Sequence, residues 1–120
     1  MLIAVTAKSS EPGSEVDPRF GRAQYFHLID TETGERNIVE NTQSLQAVQG
    51  AGIQAAETIT GQKAEAVLTG HCGPKAFQVL KAAGVRIVTG VEGKVDEVVR
   101  KFKSGDYQEA YSPDVESHWQ

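Results

Sequence analysis

Apolar residues along this chain follow two periods, and their alternation predicts an α/β domain. Residues 2–7 form a short, mostly apolar run suited to a strand buried on both faces, and turn formers over residues 8–14 end it. Residues 25–29 and 37–40 read as two further strands. Thr31, Glu32, Thr33 and Gly34 supply a polar, glycine-containing turn between them, so the pair is an antiparallel hairpin. From Gly50 the spacing becomes helical, with Ile53, Ala56 and Ile59 on one face and Gly61 available to close the helix. Residues 64–69 return as a strand. Pro74 then opens a helix in which Ala76, Val79, Leu80 and Ala83 recur at i, i+3, i+4 and i+7, with Gly84 fit for a left-handed cap. After a strand at 85–89, Val95, Val98, Val99 and Phe102 repeat the helical spacing. Asp96 and Glu97 in the first turn and Arg100, Lys101 and Lys103 in the last complement that helix's dipole.

The order β-ββ-αβαβα requires parallel crossovers joined to one antiparallel hairpin. The expected architecture is a mixed five-stranded sheet with helices packed on it in three layers. A length of 120 residues suits one such domain. We assign it residues 1–105 and read 106–120 as a loosely ordered tail without periodicity, in which Trp119 can still dock and His118 is solvated.

Composition narrows the function. The chain is 39% apolar and 23% charged, as ordinary folded proteins are. Its net charge of -4 argues against a general nucleic-acid binder, which needs clustered Lys and Arg to displace counterions from phosphates. No window approaches the roughly 18 consecutive apolar residues of a membrane span, so no membrane role is expected. One cysteine cannot form an internal disulfide, and residues 1–8 lack the basic flank and longer apolar stretch of a signal peptide, which points to the cytoplasm.

Ligands of open α/β sheets bind beyond the carboxyl ends of the parallel strands, where loops and helix starts converge. That rule selects residues 8–22, 70–75 and 90–94, each containing glycine. The first stretch is long for a compact domain, which marks it as functional. Gly70 and Gly73 permit tight turns, and the helix opening at Pro74 points unpaired N–H groups and its positive dipole end at an anion. Cys72 beside that helix start is either a low-pKa thiolate able to bind metal or a small buried hydrophobe. His71 is a metal ligand, a donor supporting one, or neither, since adjacent His-Cys is not a closed metal site. Arg22 and Lys75 either face an anionic guest or are surface charge, with Lys8 and Lys94 as weaker versions. Phe20 walls the pocket or anchors its loop. His27, inside a strand, reads as structural.

The segments Asp17-Pro18-Arg19-Phe20-Gly21-Arg22-Ala23, Gly50-Ala51-Gly52-Ile53-Gln54-Ala55-Ala56 and Thr69-Gly70-His71-Cys72-Gly73-Pro74-Lys75-Ala76-Phe77 together resemble the dinitrogenase iron-molybdenum cofactor biosynthesis family. The resemblance runs from about Leu2 to Gly105, and this chain reads as a small stand-alone member. It implies a ribonuclease-H-like three-layer fold and a nitrogenase accessory role. Relatives include carriers of the cofactor or its precursors and a protein holding a molybdenum-copper-sulfur cluster noncovalently. It therefore implies an iron-sulfur or molybdenum-containing cluster between the Phe20-Gly21-Arg22 loop and the loop of Gly70, His71, Cys72, Gly73 and Lys75. Cofactor-assembly proteins are the implied partners. One Cys falls short of the four thiolates that usually hold an iron-sulfur cluster, so other ligands, a partner or noncovalent capture is required.

We expect a carrier, not an enzyme. A ribonuclease-H-like nuclease gathers carboxylates for two metal ions. Here residues 2–7 contain no acid, and Glu65 stands alone near the start of the middle strand. A regulatory module binding phosphate or a metabolite is the alternative, because glycine loops and helix starts recognise phosphate by the same physics.

Overall fold

The structure, a computed structural model, describes residues 1–44, 46 and 49–114. Its strands are β1 (Leu2–Ala7), β2 (Tyr25–Asp30), β3 (Arg36–Glu40), β4 (Ala66–Leu68) and β5 (Arg86–Val88), and its helices are α1 (Ala51–Gly61), α2 (Pro74–Ala82) and α3 (Val95–Lys103). One mixed sheet has the order β3-β2-β1-β4-β5. β2 runs antiparallel to both β1 and β3, while β1, β4 and β5 are mutually parallel. Both the expected hairpin and the expected crossovers are present.

The central place of β1 explains why its sequence is apolar throughout. Ala4 faces a cluster with Phe26, Leu28, Val67 and Ile87 under Ala55, Ala56 and Ile59 of α1 and Ala76 and Leu80 of α2. Ile3 and Val5 face the opposite cluster, where Leu68 and Val88 meet Val95 and Val98 of α3. The result is three layers. Each Val, Leu, Ile or Phe side chain so buried contributes about 1.5–3 kcal/mol relative to exposure, which makes the two clusters the main source of stability.

Two local details differ from the sequence reading. The N–H of Gln62 still reaches the carbonyls of Thr58 and Ile59, so α1 runs through Gly61. The left-handed reversal then falls on Lys63, at φ 62°, at a cost of about 1 kcal/mol for a residue with a side chain. The second difference is the last described stretch, which is tied down up to Asp114. Ala110 N–H donates to Ile87 O on the outer edge of β5 (2.7 Å), and Glu109 pairs with Lys81 (3.0 Å) and Arg86 (3.1 Å). Lys81 also lies 5.3 Å from the ring centre of Tyr111. His118 and Trp119 lie outside the described residues.

The β1–β2 loop is folded back upon itself and onto α3. Lys8 N–H donates to Glu15 O, Val16 N–H to Gly93 O, and Val95 N–H to Ser14 O. His27, fully buried, fixes the loop from beneath. Its Nε2 lies 2.8 Å from Ser9 O and its Nδ1 3.2 Å from Arg36 Nη1. A guanidinium can only donate, so Nδ1 accepts and Nε2 carries the proton. Burial lowers the His27 pKa and keeps the ring neutral. Arg36 continues the chain to Asp96 on α3.

Candidate functional site

All three glycine-containing loops gather at the carboxyl ends of β1, β4 and β5, and backbone pairing sews them together. His71 N–H donates to Pro18 O (2.7 Å), Phe20 N–H to His71 O (3.1 Å), and Gly90 N–H to Gly70 O (2.8 Å). A side chain on Gly70 would put its Cβ 2.7 Å from both Cα and O of Pro18. Only glycine admits this approach. Beneath the seam, Thr6 Oγ1 donates to Asp17 O (2.7 Å) and lies 2.9 Å from Thr69 Oγ1, which joins the ends of β1 and β4 in a buried polar contact. The cleft expected between the Phe20 loop and the Gly70 loop is therefore closed into a continuous rim.

Behind this rim the site residues separate. Phe20 is 1% exposed and its ring stands 6.0 Å from that of Phe26, so it anchors the loop in the core. Gly21 is buried, and its carbonyl accepts from Asn41 Nδ2 (3.2 Å) and Gln43 Nε2 (2.9 Å), two residues the sequence reading did not single out. Arg22 lies exposed beside Lys8, Arg19 and Asp17 around a depression of about 530 Å³. Lys75 is exposed on the first turn of α2, and Gly73 stands at that helix's N-cap.

Cys72 departs from the thiolate expectation. Its side chain belongs to the core under α2 and is 1% exposed, with Sγ 3.8 Å from Gly73 O. Burial, and secondarily the Asp114 carboxylate, pushes the thiol pKa up to about 12, so at neutral pH it is a protonated thiol and not a metal-binding thiolate. The helix start that was expected to activate it turns its backbone, not its sulfur, outward. Cys72 N–H donates to Asp114 Oδ1 (2.8 Å), and His71 Nδ1 lies 3.1 Å from Asp114 Oδ2. An anionic group thus sits where the sequence placed an anion, but it is supplied by the chain itself. Asp114 lies in a stretch without periodicity, and nothing in the local sequence signals it. Among the described residues, no three His, Cys, Asp or Glu side chains gather as a metal site.

Comparison with known proteins agrees with this architecture. The family model described as dinitrogenase iron-molybdenum cofactor matches residues 1–105. The orange protein of Desulfovibrio gigas, solved in its apo form, superposes with a TM-score of 0.89 at 41% identity over 95% of this chain and 96% of that one. A Thermotoga protein of the DUF35 family gives 0.77 at 28% identity over 95% and 98% of the two chains. An uncharacterized protein of Methanocaldococcus jannaschii is 30% identical over 77% of this chain and 80% of its own.

Proposed function

The chain belongs to the dinitrogenase iron-molybdenum cofactor family, and from that premise we propose that it is a non-catalytic cytoplasmic carrier. Its cargo is an anionic metal-sulfur cluster, iron-sulfur or molybdenum-containing, or a precursor of one, which it exchanges with cofactor-assembly proteins. The observation that carries the reading is the carboxylate on Cys72 N–H and His71: the rim of α2 already accepts a negative group through a backbone amide. The cations of Lys8, Arg19 and Arg22 around the neighbouring depression extend the same preference. Capture is noncovalent, because the buried, protonated Cys72 offers no thiolate. We read the sheet order as ribonuclease-H-like, used here for binding and not for hydrolysis. Likeness to the orange protein, which was solved in its apo form, supports a protein that exists with and without a guest.

The test is anaerobic reconstitution with iron and sulfide or with tetrathiomolybdate, followed by gel filtration and visible spectra of wild type and Cys72→Ala. Colour should travel with both forms. Colour lost only from Cys72→Ala overturns noncovalent capture in favour of thiolate ligation. If neither form takes up a chromophore while phosphate or a nucleotide raises the melting temperature, the protein is a metabolite-binding module.

A further inference from the structure

We propose that the segment bearing Asp114 is a closing strap: its carboxylate holds the seat on Cys72 N–H and His71 that an incoming anion needs, so loading requires the strap to lift. The inference rests on the carrier reading and adds its regulation. Both carboxylate oxygens are engaged, Oδ1 by the amide at 2.8 Å and Oδ2 by the imidazole at 3.1 Å. A buried amide left without an acceptor is costly, so the closed strap protects the empty carrier, and a guest can displace it only by offering negative charge of its own.

The strap is built to move. Upstream of Asp114 it is fixed by the backbone hydrogen bond from Ala110 to Ile87, by the ion pairs of Glu109, by Lys81 over Tyr111, and by Ala110 and Tyr107, each half-buried against one of the two core clusters. Tyr111 is 81% exposed, and the Glu109 carboxylate is half-buried between Lys81 and the more exposed Arg86, a pairing that solvent still partly screens. By contrast, the rim beneath is held by the Pro18–His71–Phe20 seam and the Thr6–Thr69 contact. Lifting the strap therefore uncovers the seat without dismantling it.

When a binding-competent state is only partly populated, apparent affinity falls by that fraction, and opening the strap restores it. Full-length protein is titrated anaerobically with tetrathiomolybdate. Asp114→Ala should bind about tenfold tighter than wild type, the gain expected for removing a charged hydrogen-bonded competitor. Removing a negative charge alone could tighten binding, so Ala110→Pro supplies a charge-neutral control: it deletes the N–H held by Ile87 and should tighten binding about threefold by raising the open fraction. As a readout independent of either variant's folding, amide exchange of Ala110 in wild type should accelerate when the probe saturates.

Tighter binding by Asp114→Ala with Ala110→Pro unchanged, or no change in Ala110 exchange on loading, overturns the strap and leaves the carrier reading intact. Wild type and Asp114→Ala both failing to bind overturns the carrier reading and the strap with it.

Discussion

α2 and α3 both start at the carboxyl edge of the sheet after a parallel strand, yet negative charge reaches the two helix starts in opposite ways. α3 carries Asp96 and Glu97 in its own first turn, and Val95 N–H is taken by Ser14 O. Its acids are permanent neighbours, so that end is a finished structural joint. α2 has no acid in its first turn and begins with Pro74; the carboxylate beside it is that of Asp114, which accepts from Cys72 N–H two residues before the helix and comes from 42 positions away. An acid delivered from a distant segment is the one that the proposed strap would exchange. On the proposed carrier reading, the helix start left undercharged by its own sequence is the one fit for a guest.

The largest expected effect tests whether the α2 rim depends on its seam. Gly70→Ala forces Pro18 backbone to retreat from a 2.7 Å approach and should cost about 3 kcal/mol in urea denaturation. A loss near zero would mean the seam is adjustable and the rim not preformed. Next, Cys72→Ser places a hydroxyl in the apolar core under α2 and should cost about 2 kcal/mol. Native Cys72 should resist alkylation at neutral pH, and Asp114→Ala should bring its pKa down from about 12 by removing the carboxylate that helps raise it.

Acidification separates the two ends by pH window. Burial lowers the His27 pKa below 6.5, so the unfolded chain binds the proton first. Stability on the α3 side, where His27 leads through Arg36 to Asp96, is full above pH 6.5 and falls as pH drops toward the folded pKa. The hydrogen bond from Lys81, joined by Arg86, lowers the Glu109 pKa below 4.5, so the strap's contribution is full above 4.5 and disappears only below it. Urea melts and Ala110 amide exchange followed downward from neutral pH should show the first loss before the second.

The smallest effects are the sharpest. Glu97→Gln should weaken α3 by about 0.5 kcal/mol, whereas Lys75→Glu should stabilise α2 by a similar amount while weakening tetrathiomolybdate binding. If Lys75→Glu leaves binding unchanged, charge at the α2 rim does not select the guest.

Much of the fold was legible because it is written in periodicity. Val95, Val98, Val99 and Phe102 mark α3 from Val95 to Lys103, and the hairpin and both crossovers follow from element order. β4 and β5 are shorter than their apolar runs. Thr69 N–H still bonds Val88 O, but the chain there already bends into the rim. The loops that gather at the candidate site were legible by their place and glycines, and the family resemblance supplied the chemistry proposed for them. Three things were not legible. The seam arises from backbone pairing between Pro18, Phe20 and His71, which side-chain identity does not encode. The direction of Cys72 Sγ depends on the packing of α2. Asp114 acts through tertiary placement alone.

The hydrogen bond from Ala110 to Ile87 has one more effect, because it also occupies the outer flank of the last strand. Once that flank is bared, its peptide groups can recruit a strand from a neighbouring molecule. If the chain is the carrier proposed above, its open form is prone to self-association, and a long-lived open state would be drained into oligomers. On that reading handover is best served by brief exposure, with re-closure after each delivery covering the flank again.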